Sequence, residues 1–282
     1  MIIAVLIVFG LCLGSFVNAL AWRLREQELE TDKKKPNKAY LKSLSISRGR
    51  SMCSHCHHEL AAKDLVPVIS WLSLKGKCRY CQKSIPDSPI VELSTAALFV
   101  ISYMYWPLAL EGWQTVIFGL WLAILVGLVA LTVYDLRWFL LPNRIIYPLA
   151  VIALIQAAIV FAISPEPLKT GLMMAAAVAI GGGIFYFIFQ ISGGKWIGGG
   201  DVRLGWLLGL IVASPAKSLL FIFVAALVGT FISVPLLLSG RLKRSAVIPF
   251  GPFLILGAII AVLFGANILD WYQNFLVQPI NY

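Results

Sequence analysis

Two groups of side chains in this 282-residue chain have the types and spacing for chemistry. The first is a pair of aspartates. Asp135 lies in Val133-Tyr134-Asp135-Leu136-Arg137, and Asp201 directly follows Gly198-Gly199-Gly200. Two carboxylates a few ångström apart cannot both ionise easily, so they share a proton. One then activates a water as general base, while the other serves a substrate carbonyl as general acid. The three glycines permit positive φ and the close approach of an extended substrate. They also set Asp201 at an expected helix start, where the macrodipole favours an anion. Taken singly, Asp135 also reads as an ion-pair partner of Arg137 or Arg144, and Asp201 as a helix cap. Glu92 reads first as a cap or structural pair, and second as a substrate contact.

The second group is cysteine. Four of the five cysteines form Cys53-Ser-His-Cys56 and Cys78-Arg-Tyr-Cys81. Paired Cys-x-x-Cys knuckles bring four thiolates into the tetrahedron of a structural zinc site. An iron–sulfur or redox centre, or unliganded thiols, are the alternatives; a redox pair normally accompanies a βαβ pattern, which is missing here. His55, His57 and His58 lie near enough to replace a ligand, but four thiolates already fill the shell. Cys12, alone in an apolar run, is expected to pack.

These groups must be positioned by a mostly apolar chain. Hydrophobic residues make up 60% and charged residues 13%, against about 25% charged in a typical soluble domain, and mean hydropathy is +0.87. Runs long enough to cross about 30 Å of hydrocarbon fall at residues 1–22, 89–110, 112–134, 145–163, 170–191, 217–239 and 247–269. A short eighth lies at 202–213. The expected fold is therefore all-α and polytopic, with about eight transmembrane helices and a small cytoplasmic zinc-binding module. Residues 1–22 form the first helix, 23–88 a cytoplasmic loop with its tetra-cysteine module at 53–81, and 89–282 a seven-helix membrane core.

Charge sets the orientation. No Lys or Arg precedes the first run, whereas Arg23 and Arg25 follow it, as in a retained helix with its N-terminus outside and unlike a cleaved signal. With eight crossings, segments 23–88, 135–144, 192–203 and 240–246 face the cytoplasm. They hold 14, 2, 2 and 3 Lys/Arg, or 21 of the chain's 23, a strong positive-inside bias. Both aspartates then lie at the cytoplasmic edge. The net charge of +10 is explained by anionic lipid and requires no nucleic acid. Residues through Arg50, including Lys33-Lys34-Lys35-Pro36, read as linker. A proton- or ion-coupled transporter with a regulatory zinc module is the alternative from another class; no long-period repeat supports it. A catalytically silent assembly subunit is a further one.

The ordered motifs resemble those of the prepilin peptidases, the type IV leader peptidases of the GxGD aspartyl class. They are Gly10-x-x-x-Gly14-Ser15-Phe16-x-Asn18 with Arg23, Arg50-Ser51-x-Cys53-x-x-Cys56, Pro67-Val68-Ile69-Ser70-Trp71, Gly76-Lys77-Cys78-Arg79-Tyr80-Cys81 and Val91-Glu92-Leu93. Asp135 with Leu141-Pro142, and Gly198-x-Gly200-Asp201-Val202-Arg203-Leu204, complete the set. The resemblance implies a bacterial inner-membrane enzyme with Asp135 and Asp201 as catalytic acids. It implies cleavage after glycine in the basic leader of type IV prepilins or type II secretion pseudopilins, from the cytoplasmic side. It also implies N-methylation of the new terminus from S-adenosylmethionine, for which no binding residues are assigned. Three positions depart from the family pattern. Arg203 stands where Lys is frequent, Asn143 where an acid is common, and Pro86-Asp87-Ser88-Pro89 replaces an aromatic–proline junction.

Overall fold

In a computed structural model the described residues are 1–46, 49–85, 89–240 and 248–277; the Pro86-Asp87-Ser88 departure and the basic residues 241–244 lie outside them. Among the described residues the chain is nearly all helical, with two isolated β-bridges, Met52–Glu59 and Lys77–Ser84, and no β-strand. It forms two compact units, residues 1–104 and 105–282.

The first unit is built on helix α1 (Ile2–Thr31) and helix α4 (Ile90–Met104). Gly10 and Gly14, one turn apart, let the two backbones meet. A Cβ on Gly10 would lie 2.5 Å from Ala96 Cα, and one on Gly14 would lie 2.6 Å from Glu92 Cα. This is the small-residue contact by which helices associate where no water drives them together. The segment expected as linker is largely helical. α1 continues to Thr31, and α2 (Lys38–Ser43) follows, capped by Asn37, whose Oδ1 accepts the Ala39 and Tyr40 N–H groups. Buried Arg23 donates to Ser45 O at 2.9 Å and Gly49 O at 3.1 Å, tying this segment to α1. A short helix α3 (Ile69–Ser73) lies in the chain between the two cysteine knuckles.

The second unit holds α5 (Trp113–Trp138), α6 (Asn143–Ile163), α7 (Pro167–Ser192), α8 (Gly199–Val212), α9 (Pro215–Leu238), α10 (Gly251–Leu263) and α11 (Gly265–Val277). α5 is its centre: 56% of its apolar span is buried, against 17% for α9. Trp121, Ile124, Leu125, Leu128 and Leu131 are enclosed by protein, whereas Leu219, Phe223 and Phe231 on α9 are left exposed, as lipid contact requires. α7 and α8 meet through glycine; a Cβ on Gly181 would lie 2.8 Å from Gly205 O.

Each of the eight apolar runs contains a helix, so the polytopic all-α architecture stands, with fewer full spans than eight. Five described helices, α1, α5, α6, α7 and α9, are long and apolar enough to cross a membrane, or six if α10 and α11 count as one span bent by 76°. α4 has 15 residues and α8 has 14, which at 1.5 Å per residue cover only about 20–23 Å.

Candidate active site

Asp135 occupies the last turn of α5, which ends where Phe139 turns left-handed and donates its N–H to Asp135 O at 2.8 Å. A carboxylate here faces the partial negative charge of its own helix end. The compensation comes from α10. Gly251, its first residue, donates its N–H to Asp135 Oδ2 at 3.1 Å. The Asp135 side chain is otherwise enclosed, at 5% exposure.

Asp201 lies in the first turn of α8, with Gly198 as N-cap. Its carboxylate takes the Gly198 N–H, one of the orphan donors of the helix start. Each aspartate is thus held by the N-terminus of a helix, α10 for Asp135 and α8 for Asp201. The two also sense each other's charge. Leu141, on the turn between α5 and α6, touches both sites. A Cβ on Gly251 would lie 3.5 Å from its Cδ2, and one on Gly200 would lie 3.2 Å from its Cβ. Two acids distant in sequence are therefore gathered in one unit, each with a backbone donor.

The glycines act differently from expectation. None of Gly198, Gly199 and Gly200 has positive φ; Gly198 is extended, and the other two begin α8. Of the three, only Gly200 admits Leu141 where its side chain is missing; a Cβ on Gly198 would meet Asp201 Oδ2 at 3.5 Å and one on Gly199 would meet Phe189 Cε2 at 3.8 Å. The residues at two family departures are bonded to each other: Arg203 donates to Asn143 Oδ1 and, through Nε, to Gly199 O at 3.0 Å. An Arg–Asn pair thereby fastens the start of α8 to the start of α6. Sequence reasoning met Leu141 only as part of the Leu141-Pro142 motif and missed Gly251 as a site residue. A glycine offers no chemistry of its own, and Gly251 is 116 positions from its partner; Phe250-Gly251-Pro252, inside the apolar run 247–269, was its only trace.

In the first unit, Cys53, Cys56, Cys78 and Cys81 bring their sulfurs within 4.8 Å of one another. Cys53 Sγ and Cys81 Sγ are 3.9 Å apart. A tetrahedral ion with about 2.3 Å metal–sulfur bonds sets its ligand sulfurs about 3.8 Å apart, so the cluster fits one metal ion. The halves repeat residue for residue. Cys53 N–H bonds His58 O and Cys78 N–H bonds Lys83 O; His57 N–H bonds Cys53 O and Gln82 N–H bonds Cys78 O. His57 and Gln82 both turn to positive φ. Burial opposes ionisation of Cys78, but hydrogen bonds from the Cys81 and Tyr80 backbone and from the Cys53 and Cys81 thiols outweigh it and bring the thiol down to about 7. Burial likewise opposes ionisation of Asp64, which Arg79, Tyr80 and the Ala61 N–H overcome, holding it below the usual carboxylate range.

None of the three histidines belongs to the sulfur cluster. His55 Nε2 lies 3.1 Å from Ser84 O, His58 stacks on Tyr80, and His57 meets Tyr40 edge-on. Glu92 is a structural pair, accepting the Val68 N–H at 2.6 Å. Cys12 is exposed on α1, so the packing expected of it is not found.

Two family models match the chain. One, described as Bacterial Peptidase A24 N-terminal domain, covers residues 8–106. The other, described as Type IV leader peptidase family, covers residues 122–234. Among curated proteins, the prepilin leader peptidase/N-methyltransferase of Aeromonas hydrophila is 34% identical over 95% of this chain and 93% of its own length. That of Bacillus subtilis (strain 168) is 31% identical over 96% and 97%. The type 4 prepilin-like proteins leader peptide-processing enzyme of Escherichia coli O78:H11 is 32% identical over 90% of each. No solved structure matches the chain.

Proposed function

We propose a function from one premise: the chain belongs to the type IV leader peptidase family. It is a multi-pass membrane aspartic endopeptidase that removes the basic leader of type IV prepilins or type II secretion pseudopilins after glycine. It then N-methylates the new terminus. A coupled transporter has no support from these relatives.

The observation that carries the peptidase is the gathering of Asp135 and Asp201 around Leu141, each on a helix N-terminus. The two carboxyls share a proton and hold one water. The ionised acid takes a proton from that water as its oxygen attacks the carbonyl carbon of the glycine, and the protonated acid donates to the carbonyl oxygen. Collapse of the resulting gem-diol breaks the C–N bond; the departing amine takes the pair's proton while a diol hydroxyl returns one to the pair, so the acids regain their starting charge. Gly198, Gly199 and Gly200 support the loop against which the extended substrate lies, and Arg203 with Asn143 keeps that loop in register. The catalytic core lies within residues 89–282.

Cys53, Cys56, Cys78 and Cys81 hold Zn²⁺, which closes the module at residues 53–81 of the 23–88 loop and gives a small segment the stability its own core lacks. The distribution of Lys and Arg supports an inner-membrane orientation with the acids and module facing the cytoplasm, against anionic lipid. S-adenosylmethionine supplies the methyl group.

Mass spectrometry of a synthetic prepilin after incubation with purified enzyme tests the proposal. Loss of the leader at the glycine is expected without S-adenosylmethionine, and one added methyl group with it. An intact peptide under both conditions would refute the peptidase; cleavage without methylation would refute only the second activity.

A further inference from the structure

The stretch between the two cysteine knuckles holds an apolar face open. Leu65, Val66, Ile69 and Leu72 are all exposed, Ile69 at 66% and Leu72 at 60%. The exposure is built into the fold. Val68 takes φ +60° and ψ −51°, a region that a β-branched residue avoids, in a γ-turn closed by Ile69 N–H and Pro67 O at 2.5 Å. Glu92 on α4 fixes the turn by accepting the Val68 N–H at 2.6 Å. Beyond it, Ser70, Trp71 and Leu74 line an internal cavity of the first unit. Ile69 and Leu72, three apart on one face of α3, are thereby held outward. A fixed patch of this kind marks a surface with a partner.

Depth and charge say which partner. Leu65 and Pro67 line a groove together with Phe16 and Leu20 of α1. Phe16 lies six residues inside the apolar run 1–22, about 9 Å along the helix from its end. Glu92 is in the first turn of α4, the next apolar helix. Residues 65–72 are thus anchored to both helices where these enter the hydrocarbon. Around the apolar face stand Lys63, Lys75 and Lys77, all exposed. Asp64, the one acid between residues 60 and 77, is turned inward and paired with Arg79 at 2.8 Å. Apolar side chains rimmed by lysine are the composition of a segment lying in an anionic membrane interface. The same lysines repel the basic leader of a prepilin.

We propose that Leu65, Val66, Ile69 and Leu72 dip into the headgroup boundary of the bilayer, with Lys63, Lys75 and Lys77 on the phosphates of anionic phospholipid. The zinc module then lies down on the membrane as a peripheral element of its own, beyond the anchorage that α1 and α4 give it.

The inference deepens the lipid contact proposed above and rests on the multi-pass membrane reading. Its test contains no prepilin and uses nanodiscs, whose two leaflets are alike, so neither cleavage nor orientation enters the result. The full-length, zinc-loaded chain is reconstituted with phosphatidylglycerol carrying a photoreactive group at the top of its acyl chain, irradiated, and mapped by peptide mass spectrometry. Label is expected on residues 65–72 as well as on α1. It should be missing from the peptide around Asp32, ten residues past Trp22 and about 15 Å further along α1. Equally photoreactive phosphatidylcholine should label residues 65–72 about threefold less. The double variant Ile69→Ser with Leu72→Ser, checked for retained zinc, should lose that label and keep the one on α1. Because the first arms use the unaltered chain, they decide the matter even if the variant does not fold. Residues 65–72 unlabelled in a chain whose α1 is labelled would overturn the proposal. So would an amine cross-link through Lys63 or Lys75 to a second copy, which would make the face a protein interface. Equal labelling by the two lipids would overturn the anionic partner.

Discussion

Gly251→Ala is the most discriminating single substitution in the catalytic unit. The added Cβ would stand 2.6 Å from Asp135 Oδ2, short of ordinary contact by roughly 0.8 Å. Gly251 has no positive φ, so alanine suits its backbone and would by propensity favour α10 by up to about 1 kcal/mol. The overlap therefore sets the outcome. Either the carboxylate moves away, losing the 3.1 Å bond from Gly251 N–H, or the start of α10 shifts and carries that donor with it. Misplacing a catalytic group by about 1 Å costs on the order of 10²-fold in rate. We expect kcat for a synthetic prepilin to fall about 30–100-fold on that scale, with KM within about threefold, because the role proposed for Asp135 is at the reacting carbonyl more than in substrate binding. The overlap is expected to cost about 1–3 kcal/mol of stability. Gly119→Ala is the control: beyond its own helix, no described atom lies within 4 Å of that Cβ, and activity should stay within about twofold, as for surface changes away from special features. A Gly251→Ala enzyme with wild-type kcat would refute the positioning argued for Asp135.

Other outcomes follow from the same geometry. Cys→Ser at Cys53, Cys56, Cys78 or Cys81 should lower bound zinc, measured by atomic emission, and expose the 53–81 segment to protease; a full complement of metal after any one change would contradict four-thiolate ligation. Arg203→Ala and Asn143→Ala should each slow cleavage several-fold, and the double variant should be no slower than the worse single one. A double-mutant cycle checks this, and additive losses would dissolve the proposed link between α6 and α8. Reporter fusions should place residue 166, between α6 and α7, outside the membrane and residue 54 in the cytoplasm; the reverse would overturn the orientation.

Hydropathy made the helices legible because a lipid-facing helix must be apolar over most of its surface, and Leu219, Phe223 and Phe231 show that exposure directly. Length was less legible. A continuous run from Val247 conceals the turn between α10 and α11, where Gly265 packs against the Lys217 side chain. Arg23 to Thr31 looked like linker because charged residues dominate it, yet they are good helix formers, and Arg25 pairs with Glu28 one turn on. The aspartates and cysteines could be singled out as candidates from residue type because their chemistry is intrinsic. Their supports could not. Gly251 and Leu141 matter only through the neighbours that folding brings to them.

The most direct test of the central claim, that Asp135 and Asp201 act as one acid–base pair, is single-turnover mass spectrometry of a prepilin peptide. Wild type, Asp135→Asn and Asp201→Asn are compared, each shown to be folded by retained zinc and unchanged elution. The wild type should release the leader at the glycine, while both variants leave the peptide intact, a loss on the order of 10³-fold or more. Cleavage at near wild-type rate by either variant would show that the acid it lacks is not part of the reaction.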